Sequence, residues 1–156
     1  MHFPLTSPAG ITGGFAPPRP SAMYDFTLVP TGESQSQTLL LASSVREDGT
    51  PSLQAAPRKA IALEGTGGAL VAELEGILRR LPPAPPPANV DMYGRDVGIE
   101  WRGAGLSWRN SAPQGCARGP DDGVGVAGME DREAFGRAVE IVDELVKRGV
   151  VVEGSG

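Results

Sequence analysis

The chain holds one histidine, His2, and one cysteine, Cys116. Ser-His-Asp and Cys-His catalysis each need a base held by packing beside the nucleophile. An imidazole at the second residue, where chain ends are commonly loose, is poorly placed for that work. One thiol and one imidazole also fall short of the ligand sets of the common zinc sites. Cys116 has no evident activating partner and reads as an inert or loosely exposed thiol, with no internal disulfide to make. The stretch Gly65-Thr66-Gly67-Gly68 puts glycines ahead of a helix start, where free N–H groups can hold phosphate. Leu70 stands where the dinucleotide fingerprint wants a small residue, and no lysine follows as in a P-loop. A plain glycine entry into the helix is therefore expected.

Carboxylates are the other reactive groups. Two acids suffice for glycoside cleavage, and clustered acids can hold Mg²⁺ or Ca²⁺. The clusters are Asp121-Asp122, in a glycine-rich stretch, and Glu130-Asp131-Glu133, where a helix begins and its dipole already favours acids. Alternate acids ending in glutamate, the pattern of a calcium loop, are absent. Glu73, Glu75, Glu140, Asp143 and Glu144 fall largely on solvent faces of helices. A carboxylate-based metal-binding or hydrolytic protein using Asp121 and Asp122, with Arg109 or Arg118 beside them, stays open as an alternative. The expectation from the residues is no catalytic residue, no metal and no cofactor.

The elements that must position any site begin with composition. The chain has 156 residues, 22 of them glycine and 15 proline. Leu, Ile, Val and Phe make up about a fifth, just above the range expected for disorder. A compact core carrying long Gly/Pro loops follows, as a single domain over residues 1–150 with a short tail at 151–156. A net charge of −5 argues against nucleic acid, which needs a basic face. Arg79-Arg80 and Lys147-Arg148 sit where helix C-termini want cations. MHFPLTSPAG lacks a basic start and an apolar run, and no apolar stretch approaches the ~20 residues that span a bilayer. A cytoplasmic protein with no membrane contact is expected.

Ala22–Pro30 alternates Tyr24, Phe26 and Leu28 against Asp25 and Thr27, the pattern of a half-buried strand. Thr38–Arg46 reads as a second strand, buried on both faces at Leu39-Leu40-Leu41 and ended by a turn at Asp48-Gly49. Arg58–Leu63 reads as a short third. Leu70, Leu74, Ile77, Leu78 and Leu81 make the apolar stripe of a helix from Thr66, its cap, to about Leu81, where Pro82 stops it. Pro82–Pro87 is then a stiff polyproline spacer. In VGIEWRGAGLSW, a type II′ turn at Gly103-Ala104 would pair Trp101 with Leu106 and Ile99 with Trp108 on one face. Glu100, Arg102 and Ser107 would share the other, so the tryptophans are core candidates rather than a stacking platform. Ser111–Gly128 is loop. Glu130–Arg148 is the clearest helix, with Phe135, Ala138, Val139, Val142, Leu145 and Val146 apolar and Gly149 as cap. Val150-Val151-Val152 can add an edge strand or fray. Strand, strand, helix, strand, strand, helix, joined by hairpins, gives an α+β fold: an antiparallel sheet of four to five strands with two helices on one face.

With chemistry scarce, contact surfaces come forward. ITGGFAPPRPS at residues 11–21 joins two glycines and Phe15 to three prolines and Arg19. Glycine pairs and prolines suit a tight bend between strands, so an ordered loop is expected. Phe15 beside rigid prolines is a low-entropy anchor, with Arg19 at the rim. Pro17-Pro18-Arg19-Pro20 and the longer PPAPPP can also dock into SH3-, WW- or profilin-like domains, or serve as spacers.

Gly13-Gly14-Phe15-Ala16, between a short first strand and a second one, resembles the start of the emfourin-type proteins. So does the order that follows: a leucine-rich helix ending in Leu81-Pro82-Pro83, a proline-bearing connection, a hairpin, and a C-terminal Leu/Val helix. That family pattern continues with glycine where Pro17 stands, and Thr38–Leu63 and the loop around Asp121 have no counterpart in it. The resemblance implies a small cytoplasmic α+β inhibitor of thermolysin-like metalloproteases. The expected function is a non-catalytic protein-binding domain acting through Gly13, Gly14, Phe15, Ala16, Pro17 and Arg19, with another protein as partner. A homo-oligomeric structural domain, built by pairing of the Val150-Val151-Val152 tail, is the remaining alternative.

Overall fold

Period-two alternation builds the middle of the fold. The computed structural model describes residues 2–7 (backbone), 22–30, 37–47, 50–84, 91–95, 97–110 and 127–152. The strands are β1 (His2–Ser7), β2 (Ala22–Pro30), β3 (Gln37–Val45), β4 (Gln54–Ala55), β5 (Lys59–Ala62), β6 (Gly98–Gly103), β7 (Leu106–Arg109) and β8 (Val150–Val151). The helices are α1 (Thr66–Arg80) and α2 (Met129–Arg148). Among the described residues the strands form one antiparallel sheet in the order β7-β6-β1-β2-β3-β5-β8, with β4 beside β3. The protein is α+β, with a wider sheet than the four to five strands expected from sequence.

Much of the extra width comes from β1. Far from being a loose end, His2 lies in a strand held on both sides, opposite Thr27 of β2 and Arg102 of β6. Pro4, which has no N–H to give, pairs with Asp25 on the β2 side, while the β6 side is matched at His2, Leu5 and Thr6. Val151 pairs with Lys59, so pairing reaches into the segment read from sequence as a tail.

Phe26, Leu39, Leu41, Ile61, Ile99, Trp101 and Trp108 turn to one face, where they join Leu74, Leu78, Phe135, Ile141 and Leu145 of the two helices in one core. Each such side chain, fully buried, contributes about 1.5–3 kcal/mol. Leu40 points the other way and is half-buried. The expectation of burial on both faces of β3 is thus corrected: both helices bury their stripes against one face of the sheet.

Local chemistry accounts for the helix ends. Gly65, at φ +67°, is the N-cap of α1, and no side chain caps it, so Thr66 is the first helical residue rather than the cap. The next two glycines serve close approach: a Cβ on Gly67 would run into the Ala62 carbonyl oxygen, and one on Gly68 into that of Leu63. Leu81 turns to extended backbone before Pro82, as proline requires. In α2, Glu130 and Asp131 occupy the first turn and Lys147 and Arg148 the last, matching the dipole. Gly149 closes that helix by donating its N–H to the Leu145 oxygen at 3.2 Å. It does so at φ −60°, not in the left-handed region. A glycine is needed there because a Cβ would stand 2.9 Å from that of Lys59, whose Nζ donates to the Val146 oxygen at 3.3 Å.

The hairpin register also differs from expectation. Gly103 pairs with Leu106 and Trp101 with Trp108, so the turn residues are Ala104-Gly105. Ala104 (φ +50°) and Gly105 (φ +73°) both have positive φ, which makes a type I′ turn instead of II′. The shift is by two residues in the pairing, so side chains keep their faces: Trp101 and Trp108 are buried, Arg102 and Ser107 exposed and Glu100 half-buried. Two further contacts fix this register. Arg79 Nη2 donates to the Ala104 oxygen at 2.6 Å, and at the other end Asn110 donates its backbone N–H to the Ile99 oxygen at 3.2 Å.

Candidate protein-binding surface

Register decides which chain ends meet. Ser7 is opposite Ala22, Thr6 opposite Gly98, and Asn110 follows the Glu100–Arg109 pair. Four neighbouring strands, β7, β6, β1 and β2, therefore present Asn110, Gly98, Ser7 and Ala22 along one end of the sheet. Ser7 and Ala22 flank residues 8–21, and Asn110 precedes residues 111–126. Gly13, Gly14, Phe15, Ala16, Pro17 and Arg19 lie outside the described residues, as do Cys116, Arg118, Asp121 and Asp122. So does the Asp48-Gly49 turn.

This sheet end is firmly built. Asn110, buried, accepts the Ile99 N–H at 2.7 Å on Oδ1 and donates from Nδ2 to the Val97 oxygen at 2.7 Å. Both halves of its amide are thereby satisfied, which a buried amide needs. Behind it, Tyr93 stacks on Phe135 with ring centroids 4.3 Å apart, and Trp108 leans on both at 6.3–6.5 Å. The Tyr93 hydroxyl donates to the Pro82 oxygen at 2.6 Å, and Trp108 Nε1 to the Leu81 oxygen at 2.9 Å. Burial, helped by the Asp131 carboxylate, pushes the Tyr93 hydroxyl up to about 12. Tyr24, on the core face of β2, is also raised, first by burial and then by Asp143 of α2. Helix α2 thus backs the strand end from which residues 8–21 depart.

Two large apolar side chains stay uncovered here. Met23 is 41% exposed and Val45 39% exposed. Ala22 pairs with Val45 and Met23 with Ser44, so the two flank the return of the chain at Ala22 from opposite faces, Val45 on the core side and Met23 on the outer side. The sequence reading passed over them. For Met23 the signal was there: in a strand whose Tyr24, Phe26 and Leu28 face the core, Met23 must face outward.

Several other candidates among the described residues have structural roles. Gly67 and Gly68 pack α1 onto the ends of Ala62 and Leu63, which accounts for the glycine entry without a phosphate. Among the described residues no group of three or more His, Cys, Asp or Glu side chains is placed to hold a metal ion. Acids on the helices pair with bases: Glu73 with Arg137, Glu75 with Arg79, Glu144 with Arg148. Pro82 and Ala84 are engaged by the chain itself, through Tyr93 and through the Ala84 N–H on the Arg109 oxygen at 3.0 Å. Among the described residues no helix is long and apolar enough to cross a membrane. Compared with protein-family models, curated proteins and solved structures, the chain matches none.

Proposed function

We propose that the chain is a non-catalytic protein-binding domain whose contact segment is Gly13–Arg19, and that its partner is a thermolysin-like metalloprotease, which it inhibits. The observation that carries this reading is the root of the segment. Ser7 and Ala22 are register partners in the middle of the sheet, and apolar Met23 and Val45 stand uncovered beside Ala22, one on each face of the sheet. Anchoring both ends of a segment on one strand pair lowers the entropy lost when it docks. Phe15 supplies the aromatic anchor, Gly13 and Gly14 the backbone freedom for a tight bend, and Ala16 and Pro17 a stiff continuation. Arg19 supplies a cation at the rim. The likeness of Gly13-Gly14-Phe15-Ala16 to the emfourin-type loop supplies the class of partner.

Titrating the protein into a thermolysin-like protease tests the inhibitor reading: activity falls at micromolar concentrations, and Phe15→Ala restores most of it. Undiminished protease activity removes that target. A pull-down comparing wild type with Phe15→Ala tests the wider reading, and equal recovery of every partner sinks the loop as the contact.

A further inference from the structure

We propose that β8 is a homodimer contact, at which a second copy of this chain lays its own β8 antiparallel across a two-fold axis at Val151. Among the described residues the sheet has two sides where pairing could continue. On the β7 side the chain leaving α1 already sits: Ala84 donates to the Arg109 oxygen at 3.0 Å and Trp108 Nε1 to the Leu81 oxygen at 2.9 Å. The opposite side is shared by β4 and β8. Pro51 and Pro57 bracket β4, and proline is a common guard of an open strand. No such guard stands on β8. Val150, Val151 and Val152 carry neither charge nor proline, and they are 70%, 54% and 37% exposed.

The backbone then selects the partner. Val152 donates its N–H to the Arg58 oxygen at 2.9 Å, so Arg58 and Val152 form a hydrogen-bonded pair. Hydrogen-bonded and non-hydrogen-bonded pairs alternate along an antiparallel ladder. The neighbouring pair, Lys59 with Val151, is therefore of the second kind, and the Val151 N–H and C=O point away from β5. One donor and one acceptor on a single residue are complementary to themselves under a two-fold rotation. Val151 of each copy gives its N–H to the other and takes one in return, an isologous contact that closes on two chains. The same axis sets Val150 of one copy opposite Val152 of the other, and β-branched pairs of this kind favour a sheet. A second copy satisfies backbone and side chains together, with no residue of a different sequence required.

A contact this small belongs to the weak interfaces, so the dimer fills as chain concentration approaches about 1 mM. Sedimentation equilibrium over a concentration series tests it. Wild type is expected to rise from the 16.2 kDa of one chain toward twice that mass. Val151→Pro removes the outward N–H and leaves the Val152 bond to Arg58 in place, so it is expected to stay at one-chain mass. Val151→Lys keeps the backbone and sets like charges opposite each other, and it covers the case in which proline disturbs β8; it too should stay monomeric. Phe15→Ala should dimerise like wild type, which keeps this result separate from the loop reading. Wild type at one-chain mass throughout overturns the proposal, as does a series in which both Val151 variants dimerise equally. Monomeric wild type whose Val151 amide shifts with an added extended peptide overturns it in favour of a foreign strand.

Discussion

Ala104 carries a cost that its neighbours cover. Its φ of +50° lies in the left-handed region, where an L-residue other than glycine loses roughly 1–2 kcal/mol. The type I′ geometry demands that φ at both central residues, because only this twist matches the flanking strands. Gly105 meets the demand freely, and Arg79 steadies Ala104 by donating to its carbonyl oxygen at 2.6 Å. Asparagine tolerates the left-handed region through its own local hydrogen bonds, so Ala104→Asn is predicted to stabilise the fold by about 0.5–1 kcal/mol. A β-branched residue there is a true outlier, and Ala104→Val is predicted to destabilise by more than about 1 kcal/mol. Urea titrations of the two variants check both signs, and a stabilising Val would refute the turn assignment.

At the scale of elements, glycine means different things within one helix. Gly67 meets the Ala62 carbonyl, a backbone group that cannot swing aside, whereas Gly76 has nothing within 4 Å of where a Cβ would be. Gly67→Ala is predicted to lose about 1–3 kcal/mol through overpacking, and Gly76→Ala to gain up to about 1 kcal/mol through helix propensity. Thermal melts of the pair check it: equal shifts of one sign would remove the close approach as the reason for Gly67. The contrast also marks what was legible beforehand. Alternation fixed β2 and the faces of the hairpin, and the 3.6-residue stripe fixed both helices, because those signals are repeated along the chain. Single-residue signals were weaker. Pro4 interrupts any strand pattern, so β1 entered only through the family likeness. Gly103 drew the turn two residues of pairing away from Ala104-Gly105. The reason for Gly67 lay in how closely β5 approaches α1, that for Gly149 in Lys59, distant in sequence. Of the candidate surface, the uncovered Met23 followed from alternation, but Val45 did not, since its exposure depends on where β4 and the helices stop.

Across the whole molecule, α1 and α2 lie side by side on one face of the sheet, and their mutual hold is electrostatic at the rim and aliphatic inside. Arg137 of α2 grips Glu73 of α1 with bonds of 2.8 and 3.1 Å. That hydrogen-bonded grip, helped by the Arg137 charge, holds the Glu73 carboxyl below its ordinary 4.5 against the opposing effect of desolvation. A lowered carboxyl stabilises the fold above its unfolded value and loses that stabilisation as pH falls through the folded one. Tyr93 works in the opposite sense. Raised from 10.0 to about 12, it favours the fold fully below pH 10, and the benefit drains away as pH climbs through 12. Stability should therefore run flat between these two limits and fall on either side. Glu73→Gln is predicted to shallow the acid arm alone, most visibly at low salt, because the pair is solvent-exposed and screened. Tyr93→Phe is predicted to shallow the alkaline arm while losing about 1 kcal/mol at neutral pH with the bond to Pro82. Some alkaline slope should survive in it, since Tyr24 is raised as well. Denaturation midpoints across pH for the three proteins decide the matter. If Glu73→Gln moves the alkaline arm, or Tyr93→Phe the acid one, the two arms do not belong to the groups assigned to them.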